Sequence, residues 1–261
     1  MLNELRTLGG DDMNVKVPSL IARMPTEYPE SVDLFSWILE RLEAFGAGET
    51  KRWFGYLSAG RTGMTSRELA ELLSRTGTEE TGRVALLIER GVRRYLMRRG
   101  PYLDFFHGQM REAVNRRYLS RGSPQFHSEI AEYMQTLWPS SNAHALRDLP
   151  FHLMEARLWD ELLSTLEDQR FLTAKLETIG PESLIEDFEH AFERLTQKKQ
   201  DSASRLMKSL LRLLVVRWIT SEGAGIIDSF HPLLMFRLDR EFYTQLLQMG
   251  SSELLLEEFL P

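Results

Sequence analysis

The 261-residue sequence contains no cysteine, which excludes disulfides, thiolate nucleophiles, iron–sulfur clusters and cysteine-ligated zinc sites. It also lacks a long apolar run, because the most apolar window, 206–219, contains three basic residues and is shorter than the ~20 residues that a membrane span needs. The first residues do not combine a basic start with an apolar run, so we expect no secretory signal. These absences predict a cytoplasmic protein with no membrane partner.

The motifs of common enzyme classes are missing as well. No segment matches the phosphate loop GxxxxGK[ST], the dinucleotide fingerprint GxGxxG, the metalloprotease motif HExxH or the nucleophile elbow GxSxG. The histidines show no metal-binding spacing, and the acids around His190 (Glu186, Asp187 and Glu189) fit a solvated helix face. We therefore expect no catalytic residue, no metal site and no enzymatic activity of this chain by itself.

What the sequence does contain is helical periodicity. Hydrophobic residues make up 43% of the chain, enough for a substantial core in one or two domains. One helical face is formed by Val32, Phe35, Ile38, Leu39 and Leu42, and similar spacings recur along most of the sequence. The sequence therefore predicts a mainly α fold.

A short β-hairpin is predicted in the middle of these helices. The apolar and aromatic runs 95–99 and 102–106 are separated by Gly100-Pro101, which is typical of a hairpin turn. Upstream, Thr65 and Glu68 have the spacing of a helix-opening capping box. The predicted order from Thr50 is three helices, two strands and a helix, which is the order of a winged helix, and we assign it to residues 49–122.

After the hairpin the chain is predicted to be helical throughout. Glycine, proline and serine breaks separate helices joined by short turns, without an exact repeat, which favours a solenoid-like array of helix pairs over 123–261. The predicted helices lie near 108–121, 124–138, 142–157, 159–167, 170–178 and 182–197, with four more between 201 and 259.

Charge is distributed unevenly. Residues 83–122 contain ten arginines and three acids, a net charge of +7. Because the whole chain has a net charge of −6, the remaining residues carry −13. A basic winged helix could bind nucleic-acid phosphates. However, the helix starting near Glu79 has few Lys, Asn or Gln side chains to read bases, which argues against nucleic acid as a partner. The alternative is that the arginines meet acidic groups of this chain or of a neighbour.

One histidine stands at the predicted junction between the hairpin and the next helix. In LDFFHGQMREAV, His107 follows the second strand and precedes the helix. A helix N-terminus favours anions such as phosphate, and an imidazole can donate a hydrogen bond to one. The alternative is that His107 caps the helix or packs behind the hairpin.

The segment DFFHGQMREAVNRRYL after a predicted wing resembles the winged helix of STAND NTPases, the signal-transducing NTPases of the NACHT and apoptotic-ATPase type. LNELRTLGG, VPSLIARMP and SVDLFSWILERLEAFG resemble the small helical domain of that family, here residues 1–48, and TKRWFGYLSAGRTGMTSRELAELL resembles the first winged-helix helices. HSEIAEYMQ, ALRDLPFHLMEARLWDELLSTLEDQRFLTAKLE and GPESLIEDFEHAF resemble the following helical domain. The resemblance covers roughly residues 1–195.

The resemblance implies a nucleotide-controlled switch. In that family the winged helix folds back on an ADP-bound core, and a histidine at the wing-to-helix junction touches the terminal phosphate; His107 matches this position, with Arg111 as a candidate supporting contact. Exchange of ADP for ATP then releases the winged helix and permits oligomerisation. The phosphate loop and the Mg²⁺-binding acid belong upstream of this chain, so it is expected to bind no cofactor and to hydrolyse no ATP alone.

The function that we predict is therefore regulatory. The chain would be the autoinhibitory and oligomer-transmitting region of a STAND ATPase in bacterial defence or signalling, with the NTPase core and further copies of itself as partners. Two alternatives stay open at this point. One is a winged-helix DNA-binding transcriptional regulator with a helical sensing domain, and the other is a passive helical scaffold for protein–protein interaction.

Overall fold

The computed structural model describes residues 31–76, 81–119, 124–196 and 206. Within these residues the chain is mainly helical, as the sequence predicts, and contains a small three-stranded antiparallel sheet. It divides into two compact units, Met1–Phe126 and His127–Pro261. None of the helices in the described ranges is long and apolar enough to cross a membrane.

The first unit consists of five described helices and the sheet. The helices are α1 (Ser31–Leu42), α2 (Ala47–Ala59), α3 (Ser66–Thr76), α4 (Thr81–Val92) and α5 (Gly108–Tyr118), and the strands are β1 (Met64–Thr65), β2 (Leu96–Arg99) and β3 (Tyr102–Phe105). Short 3-10 turns at Glu43–Phe45 and Arg93–Tyr95 follow α1 and α4.

Helix α2 forms the centre of this unit. Its residues Trp53, Phe54, Tyr56 and Leu57 are at most 1% exposed. Helices α3, α4 and α5 and strand β3 all pack against α2. Because the side chains of α2 are buried on several sides, this helix holds together the elements that carry the hairpin and the junction after it.

The predicted hairpin is confirmed. Strands β2 and β3 pair antiparallel from Leu96 opposite Phe105 to Arg99 opposite Tyr102, so two residues, Gly100 and Pro101, make the turn. Gly100 has a φ of 60°, a backbone conformation that a residue with a Cβ rarely adopts.

A third strand, β1, was not predicted, and it places β3 in the middle of the sheet. It depends on Gly63, whose φ is 92° and whose position would bring an added Cβ to 2.5 Å from the carbonyl oxygen of Leu103. The predicted capping box follows directly. The amide of Glu68 donates to Thr65 Oγ1 at 3.1 Å, and the amide of Thr65 donates to Glu68 Oε2 at 2.8 Å.

The second unit is a cluster of helices around a buried central one. The helices are α6 (Pro124–Leu137), α7 (Ala143–Glu155), α8 (Trp159–Glu167), α9 (Gln169–Thr178) and α10 (Pro181–Thr196), and a 3-10 turn, Trp138–Ser140, follows α6. Helix α7 packs against α8, α9 and α10. The predicted helices between 108 and 197 agree with these bounds to within a few residues, whereas those predicted after 201 lie outside the described residues.

Candidate functional site at the strand–helix junction

His107 lies at the junction where the sequence predicts it. Strand β3 ends at Phe105, α5 begins at Gly108, and His107 is the N-cap residue with an extended backbone (φ −112°, ψ 131°). Its carbonyl oxygen accepts hydrogen bonds from the amides of Met110 at 3.1 Å and Arg111 at 3.4 Å. Its imidazole makes no capping hydrogen bond and is exposed. The backbone of His107 therefore starts the helix, while its ring is accessible to solvent.

Aromatic contacts fix the position of the junction. The ring of Phe35 in α1 lies 6.0 Å from that of His107, and the ring of Phe106 meets it edge-on at 4.6 Å, as distances between ring centroids. The amide of Phe106 donates to the carbonyl oxygen of Tyr95 at 2.8 Å, which extends the hairpin by one more bond. Phe35 also contacts Tyr95 edge-on, with the two ring centroids 5.4 Å apart. The His107 ring thus stands on a supported piece of backbone rather than at the tip of a loop.

The guanidinium of Arg111 is directed to groups of its own unit. It pairs with the carboxylate of Asp104, donates to the carbonyl oxygen of Ser58 at 3.3 Å and lies 4.9 Å above the ring of Phe105. Asp104 in turn accepts the amide of Phe105 at 2.7 Å. These contacts tie α5 to β3 and α2, so Arg111 orients the helix that begins at His107. Its supporting contact with a phosphate stays a prediction.

A second cluster joins the other end of α5 to the end of α1. Arg117 donates from Nε and Nη2 to the two carboxylate oxygens of Glu43, both at 2.8 Å, and the Tyr118 hydroxyl donates to Glu43 at 2.7 Å. The bond from Arg117 is the main reason that the pKa of Glu43 is lowered, and burial is the main reason that the pKa of Tyr118 is raised. Glu43 therefore remains ionised and keeps both partners in place at neutral pH.

Part of the basic region meets acidic partners within the chain. Within the described residues, arginines of this region form the ion pairs Arg98–Glu89, Arg111–Asp104, Arg116–Glu112 and Arg117–Glu43. For these arginines the alternative of internal neutralisation is correct.

The second unit buries polar groups that the sequence analysis did not single out. Glu186, Glu189 and His190 are exposed as predicted, but the prediction of a solvated face was wrong for Asp187, which is 0% exposed and forms an ion pair with the buried Lys175. The reason is helical geometry, since Asp187 lies on the buried side of α10. Within the described ranges no group of three or more His, Cys, Asp or Glu residues could hold a metal ion.

Two buried histidines also form a pair in this unit. His127 Nδ1 and His152 Nδ1 lie 3.0 Å apart, and the rings of both contact Phe151. One Nδ1 must donate and the other accept, so the contact is incompatible with protonation of both rings. Burial is the main reason that the pKa of His127 is lowered, against an opposing effect of Glu155.

This pair predicts a loss of stability in mild acid. The folded chain keeps His127 neutral, so the stability that this histidine contributes is fully present above the unfolded pKa of ~6.5 and is lost as the pH falls below it, at up to about 1.4 kcal/mol per pH unit. Urea unfolding of the whole chain at pH 7.5 and 5.5 would measure this loss. We expect the free energy of unfolding to depend less on pH in His127→Gln than in the parent chain. The variant His190→Gln, at an exposed histidine, should show the same pH dependence as the parent chain. An equal loss of unfolding free energy between pH 7.5 and 5.5 in the parent and in His127→Gln would contradict the prediction.

A comparison with protein families gives a match in the helical part of the chain. Residues 124–218, about a third of the sequence, match the family model of the APAF-1 helical domain. No curated protein and no solved structure matches the chain. The match covers the described helices α6 to α10, which follow directly on the unit that contains His107. The helical segment after the His107 junction is therefore similar to the APAF-1 helical domain.

Proposed function

We propose that this chain is the regulatory region of a STAND-type signalling ATPase and couples the nucleotide state of an NTPase core to autoinhibition and oligomerisation. The observation that carries the proposal is the exposed His107 ring at a fixed strand–helix junction, in a chain whose following segment is similar to the APAF-1 helical domain. By itself the chain would catalyse no reaction and hold no nucleotide, and the core would supply the site for ADP or ATP with Mg²⁺.

Within this proposal residues 49–122 act as a winged helix. Three observations support that assignment: the element order from α2 to α5, the central packing of α2, and a hairpin that leads directly into the helix carrying His107. In the inactive state the junction would lie against the bound ADP. The positive end of α5 and an imidazole N–H would both favour the terminal phosphate. Replacement of ADP by ATP would shift the population towards a released state that is able to self-associate.

The test requires the junction together with the NTPase core, in the polypeptide or complex that carries both. We expect His107→Ala to speed the release of fluorescent ADP about tenfold or more and to raise basal activity, because a charge-assisted hydrogen bond contributes about 1.5–3 kcal/mol. His190→Ala removes another exposed histidine and serves as the matched control. Unchanged ADP release in His107→Ala would refute the phosphate contact, and failure to co-purify with any NTPase core would instead favour a passive scaffold.

A further inference from the structure

Helix α4 presents arginines on the side opposite to its buried face. The buried residues are Thr81, Ala85, Ile88 and Val92. At 100° per residue, Arg83, Leu86 and Arg90 lie together on the opposite side. Both arginines are exposed, and Leu86 between them is 56% exposed.

The hairpin extends this surface beyond the end of α4. Arg98 of β2 donates to Glu89 of α4 at 3.2 Å while its side chain remains 56% exposed. Arg93, in the turn that connects the helix to β2, is exposed as well. We refer to Arg83, Arg90, Arg93 and Arg98 as the arginine face.

The arginine face carries an excess of positive charge. The sequence from 79 to 101 contains six arginines and three acids, Glu79, Glu80 and Glu89, and the carboxylate of Glu89 is paired with Arg98. Arg83, Arg90 and Arg93 have no hydrogen bond or ion pair with any residue in the described ranges. Closely spaced like charges repel each other, so the face gains stability from a ligand that carries regularly spaced anions.

We propose that the arginine face binds the phosphate backbone of double-stranded nucleic acid, without reading its sequence. Guanidinium groups bind phosphates through two parallel hydrogen bonds. A helix with a hairpin beside it has dimensions that fit a duplex groove and its flanking phosphates. The exposed side of α4 offers no Asn or Gln to pair with adenine, and we assign its arginines to phosphates rather than to guanine edges. This inference does not depend on the nucleotide switch proposed above.

The experiment is a fluorescence-anisotropy titration of the whole chain against two short duplexes of unrelated sequence. Each phosphate neutralised contributes about −0.9 to the slope of log K against log salt, so four contacts predict roughly a hundredfold loss between 50 and 200 mM salt. Both duplexes should bind equally. The variant Arg83→Glu/Arg90→Glu/Arg93→Glu should bind the duplexes more than about tenfold more weakly at low salt. The magnitude of its slope of log K against log salt should be smaller by roughly 2.7, because three contacts are lost. The corresponding triple glutamine variant should show a smaller loss of the same kind.

The matched control replaces three other arginines by glutamate, so that the net charge changes by the same amount. These arginines, Arg67, Arg75 and Arg170, are exposed and lie outside the arginine face. This control should retain most of the affinity of the parent chain. The inference is overturned if the control loses as much affinity as the face variant, because the binding would then reflect overall charge. It is equally overturned if poly-glutamate displaces the duplex as effectively as unlabelled duplex, since the partner would then be an acidic protein. The changed side chains are exposed, and far-UV circular dichroism verifies that each variant is folded.

Discussion

Replacing Lys175 by methionine is expected to destabilise the second unit by about 3–5 kcal/mol. Lys175 and Asp187 are both fully buried and form an ion pair between α9 and α10, and Lys175 Nζ also donates to the carbonyl oxygen of Arg147 in α7 at 3.2 Å. Loss of the ammonium group leaves a carboxylate in a medium of low dielectric, where the missing attraction is large. Urea unfolding of the chain at neutral pH would measure the loss.

The double variant Lys175→Met/Asp187→Leu separates the cost of a lone charge from the value of the pair. Buried ion pairs contribute little net stability relative to apolar side chains of similar size, so we expect it to recover most of the stability lost in the single variant. Arg170→Ala, which breaks an ion pair with Asp168 at the surface, should leave the unfolding midpoint where it is. A single variant as stable as the parent would show that the Asp187 carboxylate is neutral or solvated in the folded chain.

Replacing Trp53 by alanine is expected to destabilise the first unit by about 3–5 kcal/mol. Trp53 is 1% exposed in the centre of α2 and contacts Phe54 edge-on, with the ring centroids 4.9 Å apart. Removal of the indole leaves a cavity that the surrounding helices can fill only in part. Hydrogen exchange measured by mass spectrometry is suited to this variant, because protection should fall in peptides from α2 to α5.

The control for this variant is Phe45→Ala, since Phe45 is an aromatic residue of the same unit with 44% exposure. Loss of the Phe45 ring should change protection from hydrogen exchange only in peptides near residue 45. If Trp53→Ala and Phe45→Ala have the same small effect, α2 is not the centre of the core that its burial indicates. The Lys175 and Trp53 variants together also test the division into two units, because each should lower protection first in its own unit.

The elements predicted correctly are those whose signals are local in sequence. The capping box at Thr65 and Glu68 and the two-residue turn at Gly100 and Pro101 depend on residues a few positions apart. Strand β1 was missed because it has only two residues and pairs with β3, far along the chain. A segment of this length carries no periodicity, so only tertiary pairing defines it.

The position of the strand–helix junction could likewise be predicted from the sequence, whereas the long-range contacts that hold α5 in place could not. His107 was found because the strand ends and the helix begins within three residues. Glu43 and Arg117 are 74 positions apart, and nothing in either segment indicates that they meet. A signal for Asp187 did exist, since it follows Leu184 by three positions and precedes Ala191 by four, which places it on the apolar face of α10. The charge of Asp187 favours exposure, but its position on the apolar face of α10 determines that it is buried.

Helices α1 and α5 are joined at both ends, by Phe35 against His107 at one end and by Glu43 with Arg117 and Tyr118 at the other. A rotation of α5 would therefore be shared with α1. Helix α5 is about 16 Å long at 1.5 Å per residue, so a rotation of about 10° around its end at Glu43 would displace the imidazole by roughly 3 Å. That distance equals the length of a hydrogen bond, so such a rotation would be enough to make or break a contact at the histidine.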